Sequence, residues 1–313
     1  MITVDLITGF LGSGKTTFIQ KYARYLMDQH IRICILENDL GAINVDRVLL
    51  REALGEDCGI EMIVGGDGFE AHQRRMRTKL IAMAMSGYER VIVEPSGIFD
   101  VDELFDLLYE EPLDSWYEMG NVITIVDAGL SDTLSEETGY LMTSQTACAG
   151  RIVLSKTQSQ PVVHIQPVIS MLDALMEQYK CPRRFNEGDI LAKDWDDLTA
   201  GDLAALSSCG YRHADHIRLP VAREGHYSSL FCFDEELSER DLNRVMDQIF
   251  RDPACGHIFR IKGFMRVDGR DWTRINATGE MVELSPCDEA QDVLIVIGES
   301  LDKERLRRYL PVR

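Results

Sequence analysis

The sequence predicts an α/β protein: a mostly parallel sheet covered by helices on both faces, followed by a smaller α+β domain. Three observations predict it. Short apolar runs rich in β-branched residues alternate with helical patterns through the first half of the chain. A glycine-rich stretch joins the first such run to the first helix. After about residue 157 the alternation lapses, and from about residue 211 a different order of elements begins.

The first strand is Ile2-Thr3-Val4-Asp5-Leu6-Ile7, and the helix after it carries Phe18, Ile19, Tyr22 and Leu26 on one face. Strands are predicted at 31–36, 59–64, 90–93, 122–127 and 151–155, with a helix over about 69–85. Within that helix, the spacing of Met76, Leu80 and Met83 marks a buried face. In such sheets the loops after the strand C-termini carry the chemistry. Residues 158–210 are mixed, with a helix at 169–178 and an acidic segment Asp194-Trp195-Asp196-Asp197-Leu198, so the first domain is taken as 1–200. The second, 211–313, is predicted to hold a strand at 228–233 and a helix at 238–250. Strands at 257–267, 272–276, 279–284 and 292–297 and a last helix at 302–309 complete it.

At 313 residues the chain exceeds what one core usually serves, which agrees with two domains. Its 33 basic and 52 acidic residues give a formal charge of −19, which argues against nucleic acid or an anionic membrane as partner. No apolar run reaches the roughly 20 residues of a bilayer span. The N-terminus enters a strand without the basic-then-apolar pattern of a signal peptide. The eight cysteines (34, 58, 148, 181, 209, 232, 255, 287) contain no C-x-x-C pair. A cytoplasmic protein with reduced thiols is expected.

Gly9-Phe10-Leu11-Gly12-Ser13-Gly14-Lys15-Thr16-Thr17 fits G-x-x-x-x-G-K-[ST] in the strand–loop–helix setting of a phosphate-binding loop. Glycines let backbone N–H groups turn inward at phosphate oxygens, and the helix N-terminus adds partial positive charge. Gly9, Gly12, Ser13, Gly14, Lys15, Thr16 and Thr17 are the predicted phosphate contacts. Lys15 is expected to reach the β- and γ-phosphates and the Thr16 hydroxyl to ligate Mg²⁺. Glu94 ends an apolar strand and precedes Gly97, so its carboxylate is the second expected Mg²⁺ ligand, and the Gly97 N–H is expected to face the γ-phosphate. Glu37 and Asp39 close the second strand, and either can orient an attacking water. Lys156 follows the sixth strand, where its aliphatic stem can pack on a base.

Glu37-Asn38-Asp39-Leu40-Gly41 and Glu94-Pro95-Ser96-Gly97, taken with the glycine loop, resemble the CobW branch of the CobW/HypB/UreG GTPases. His226-Tyr227-Ser228-Ser229-Leu230-Phe231 and Phe259-Arg260-Ile261-Lys262-Gly263-Phe264-Met265-Arg266-Val267 resemble the opening and middle strand of the CobW C-terminal domain. The resemblance implies a P-loop domain with GTPase activity, and loops that switch between two arrangements as GTP is bound and hydrolysed. It also implies a part in delivering metal, or assembling a metallocofactor, for a client protein. Hydrolysis is expected to be slow in the isolated chain and faster with a partner or in a homodimer.

Two departures stand out. Most members carry a Cys-x-Cys-Cys metal motif after the third strand, whereas Asp67, Gly68, Phe69 and Glu70 fill those positions, so soft-metal binding there is not available. Asp67, Glu70 and His72 offer a harder oxygen/nitrogen set, or simply acids at a helix start. Ala42 stands where a second switch-loop glutamate is frequent. Ser155-Lys156-Thr157-Gln158 replaces Asn-Lys-x-Asp, and a glutamine amide offers guanine one acceptor where aspartate offers two. GTP is the first expectation and ATP the alternative.

Cys209, His213 and His216, spaced by four and three, would share one face of a helix, and Cys/His/His suits Zn²⁺ with Asp215 or His226 as a fourth ligand. The other reading is a polar linker. Two further functions compete with a switch: a small-molecule phosphotransferase, with Arg74-Arg75-Met76-Arg77 as its lid, and a nucleotide-dependent scaffold with little turnover.

Overall fold

A computed structural model of the chain describes residues 1–39, 45–64, 69–97, 99–129, 134–157, 165–217, 227–233, 236–267, 272–279, 281–287 and 292–310. The chain forms two compact units, Met1–Ala42 with Asp46–Leu219, and Ile43–Val45 with Pro220–Arg313.

The first unit contains β1 (Ile2–Thr8), α1 (Lys15–Asp28), β2 (Ile33–Asp39), α2 (Val45–Leu54), β3 (Gly59–Val64), α3 (Phe69–Ala84), β4 (Arg90–Glu94), α4 (Asp102–Leu108) and α5 (Leu113–Trp116). It continues with β5 (Tyr117–Asp127), α6 (Glu136–Ala147), β6 (Arg151–Ser155), α7 (Ile165–Gln178), β7 (Ile190–Leu191) and α8 (Ala200–Leu206). The seven strands pair in parallel in the order β3-β2-β4-β1-β5-β6-β7. Strands covered on both faces read as continuous apolar runs, and Val4, Leu6 and Ile7 of the central β1 are all fully buried. Phe18, Ile19, Tyr22 and Leu26 of α1 pack as their spacing predicts, against Ile7, Ile35, Ile92, Ile123, Ile125 and Val153 of the sheet.

An acid in the central strand interrupts this core. Asp5 is fully buried in β1 and accepts from the Tyr22 hydroxyl and the Asn121 amide, both at 2.7 Å, with Arg90 Nε at 3.4 Å. Burial pushes its carboxyl up, against the opposing pull of Arg90 and the two donors. Asn121 Oδ1 also accepts from Gly210 N–H at 2.8 Å, and Val122 N–H donates to Gly210 C=O at 3.0 Å. Tyr211 bridges Ala149, Arg212 N–H donates to Cys148 C=O, and Ile217 N–H donates to Tyr179 C=O. These bonds tie 211–217 to the first unit, although the change of pattern in the sequence suggests the second domain opens there.

The second unit holds β8 (Tyr227–Cys232), β9 (Glu236–Leu237), α9 (Glu239–Arg251), β10 (His257–Val267), β11 (Trp272–Ala277), β12 (Val282–Pro286), β13 (Val293–Glu299) and α10 (Lys303–Leu306). Its sheet runs β12-β11-β10-β13-β8 with antiparallel pairs, and β9 adds a parallel pair to β10. Ser238 caps α9 by accepting from Asp241 N–H, and Leu242, Val245, Met246 and Ile249 form its buried stripe against the sheet. The last helix is a single turn, shorter than the 302–309 its pattern suggests. Among the described residues, no helix is long and apolar enough to cross a membrane.

Candidate nucleotide site

The loop between β1 and α1 is shaped by its glycines. Gly14 caps α1 at φ 95° and ψ 18°, a left-handed conformation that side chains rarely adopt. A Cβ there would also stand 3.0 Å from the indole of Trp195. Gly9 and Gly12 lie in the same loop at positive φ. Lys15 Nζ donates to Gly9 C=O at 2.9 Å and Phe10 C=O at 3.3 Å, which holds the ammonium at the loop. Ser13 is buried in the loop, and Thr17 is exposed in the first turn of α1.

Thr16 Oγ1 donates to Glu94 Oε1 at 2.9 Å, joining the start of α1 to the end of β4. Glu37 is the register partner of Glu94 on β2, and both carboxyls are buried. Asp39 is the last residue of β2; its side chain lies outside the described residues.

The turn after β4 lies directly against the phosphate loop. A Cβ on Gly97 would come within 2.6 Å of Leu11 N, so only glycine permits this approach. The turn is held from behind by α6. Gln145 Nε2 donates to Gly97 C=O at 2.9 Å, while Gln145 C=O accepts from Thr124 Oγ1 on β5 at 2.6 Å. Asp100 accepts from the Ser144 and Tyr140 hydroxyls, each at 2.8 Å. Gln145 has no spacing signal in the sequence, and only the fold brings it to a loop 48 residues away.

After β6, Lys156 has φ 55° and its Nζ stands 2.5 Å from Oδ2 of Asp127, the last residue of β5. Trp195 Nε1 donates to Leu154 C=O at 3.0 Å. Thr8, Ser13 and Thr157 bury hydroxyls that have no hydrogen-bond partner among the described residues.

The loop residues Gly9 to Thr17, Glu94 and Gly97 thus share one site, with Glu37 beside them. Ala42, Asp67, Gly68, Gln158 and His226 lie outside the described residues, as do the side chains of Phe69 and Glu70.

The Cys209, His213 and His216 cluster does not form. Helix α8 ends at Leu206, and 211–217 carries no helix, so helical spacing does not apply. His213 packs on Tyr211 and Phe105, with ring centroids at 5.1 and 6.4 Å, and His216 on Tyr140 at 5.9 Å. Burial pushes the Cys209 thiol up to about 12, away from the thiolate that Zn²⁺ needs. Among the described residues no group of three His, Cys, Asp or Glu side chains could hold a metal ion.

The profile of the CobW/HypB/UreG nucleotide-binding domain matches residues 3–181, more than half the chain. The chain belongs to the CobW/HypB/UreG family. The profile of the cobalamin synthesis protein CobW C-terminal domain matches residues 227–311, which marks the CobW branch. The zinc chaperone YjiA of Escherichia coli is 28% identical over 286 residues, spanning 86% of this chain and 83% of YjiA. The zinc chaperone CobW of a Sinorhizobium species is 25% identical over 302 residues, spanning 86% of this chain and 82% of its own. The crystal structure of Zn(II)-bound YjiA GTPase covers 98% of this chain and 97% of its own at 18% identity and a TM-score of 0.38.

Proposed function

We propose that this CobW-family chain binds a nucleoside triphosphate with Mg²⁺, GTP in first place, and hydrolyses its γ-phosphate. The cycle would act as a switch in delivering a metal or metallocofactor to a client protein in the cytoplasm. The observation that carries the reading is the 2.9 Å bond from Thr16 to Glu94, which brings a hydroxyl and a carboxylate together at the mouth of a glycine loop. Hard oxygen donors of this kind fit Mg²⁺, with Thr16 and Glu94 as its holders. Mg²⁺ held there would neutralise negative charge on the triphosphate during hydrolysis.

The protein's own groups do the rest. Loop N–H groups and the N-terminus of α1 face the phosphates, and Lys15 reaches the transferring group. Glu37 or Asp39 orients a water for in-line attack. Gly97, braced by Gln145, turns its N–H toward the γ-phosphate and loses that contact once phosphate leaves. Lys156 carries its stem to the base, and a partner or a homodimer accelerates the otherwise slow turnover.

The delivery role draws on the relatives named as zinc chaperones. Positions 67–70 carry no cysteine, so the cargo is not held by thiolates at that place.

Incubation with γ-labelled GTP and Mg²⁺ tests the reading. Inorganic phosphate as sole product is expected. Transfer of label to an acceptor would make the chain a phosphotransferase. Absence of turnover, with a partner that binds only one nucleotide state, would make it a scaffold.

A further inference from the structure

Trp195 stands in the acidic segment after β7 and has no part in the reaction described above. Three contacts fix its indole. Nε1 donates to Leu154 C=O at 3.0 Å, the ring meets Phe18 edge-on with centroids 5.8 Å apart, and its six-membered ring lies against Gly14. The same Gly14 position has Ser155 Cβ as its next neighbour, 3.9 Å from where a Cβ would stand. The last glycine of the phosphate loop is therefore wedged between the end of β6 and Trp195.

The order of strands says what lies over this place. Thr16, Glu94 and Glu37 put the metal and γ-phosphate end of the pocket above β4 and β2. A triphosphate seated on the loop after β1 must then run the other way, and its nucleoside comes to lie above β5, β6 and β7. Lys156, Thr157 and Trp195 follow β6 and β7 on that side. Lys156 is held by Asp127, and Thr157 buries a hydroxyl with no hydrogen-bond partner among the described residues. The indole is only partly buried, which leaves aromatic surface for a ligand.

We propose that Trp195 is the wall of the base-binding end of the pocket, holding a purine by aromatic contact. This rests on the triphosphate reading above. Every base offers a π face, so such a wall accepts guanine and adenine alike. It supplies binding at the end of the site where Ser155 stands in place of the Asn of the family motif.

Calorimetry with GTP, ATP and inorganic tripolyphosphate, each with Mg²⁺, tests the proposal on the full chain. Trp195→Ala is expected to weaken GTP and ATP by on the order of ten-fold and to leave tripolyphosphate unchanged, while Trp195→Phe keeps most of the nucleotide affinity. Equal weakening of tripolyphosphate would reduce Trp195 to a prop for Gly14 and overturn the proposal, as would unchanged nucleotide binding. The unmutated chain gives a second readout. Its Trp195 emission, assigned by difference from Trp195→Phe, should change more with nucleotide than with tripolyphosphate, and an equal response to both overturns the proposal. If the unmutated chain binds none of the three ligands, the triphosphate reading itself falls.

Discussion

Glu37 and Glu94 stand opposite each other on the neighbouring parallel strands β2 and β4, both almost enclosed. Such strands lie roughly 4.8 Å apart, so two carboxyl side chains stand side by side next to the glycine loop. Thr16 engages Glu94, and Glu37 is one of the two acids proposed to orient the water. Glu37→Gln is expected to slow single-turnover hydrolysis by about 100-fold with little change in triphosphate affinity. A parallel fall in affinity would make Glu37 a binding group instead.

Gly97 tests the packing of the turn against the loop. Gly97→Ala would drive a methyl into Leu11 N, which already lies 2.6 Å from the Cβ position. Overpacking of this kind costs about 1–3 kcal/mol. Weaker triphosphate binding together with a lower melting temperature is expected. Calorimetry and thermal unfolding of the variant check it, and a neutral result would show that the turn yields freely.

Arg183 ties the end of α6 to the segment that follows α7. Its guanidinium is buried, and Nη1 donates to the carbonyls of Thr146, Ala147 and Ala149 at 3.1, 2.7 and 2.5 Å, closing the C-terminus of α6. Burial, with Arg212 nearby, holds it down to about 10. Arg183→Met keeps the apolar stem and loses the cap, and should cost about 2–4 kcal/mol in denaturant unfolding. Gln145 sits on the same helix, so hydrolysis should slow as well.

Asp252 gives the second unit a pH signature. The Tyr309 hydroxyl, Arg305 and the Ala254 N–H hold its carboxyl down to about 2 from the ordinary 3.8. A depressed folded value adds stability above the ordinary carboxylate range, and that contribution is lost as pH falls toward about 2. The stability gap between the native chain and Asp252→Asn should therefore narrow from pH 4 to pH 2, as urea unfolding followed by circular dichroism would record. A gap that stays constant would remove Asp252 from the account.

Much of the fold is legible because burial on both faces makes whole strands apolar and marks them in the sequence. The phosphate loop is equally legible, since its chemistry depends on residues within nine positions of each other. β7 is not, because two residues make no pattern. Gln145, Trp195 and Arg183 are polar or aromatic singletons whose roles come from contacts with residues far away in sequence. Cys209, His213 and His216 mislead for the converse reason. Their spacing has meaning only on a helix, and hydrogen bonds to Val122, Cys148 and Tyr179 hold the chain there in an irregular path along the first unit.

The central claim is triphosphate binding at the glycine loop, and calorimetry of GTP with Mg²⁺ on the native chain and on Lys15→Ala tests it most directly. The native chain should bind, with affinity falling when Mg²⁺ is removed, and Lys15→Ala should lose on the order of 100-fold or more. Undiminished binding by a folded Lys15→Ala would contradict the assignment of the site.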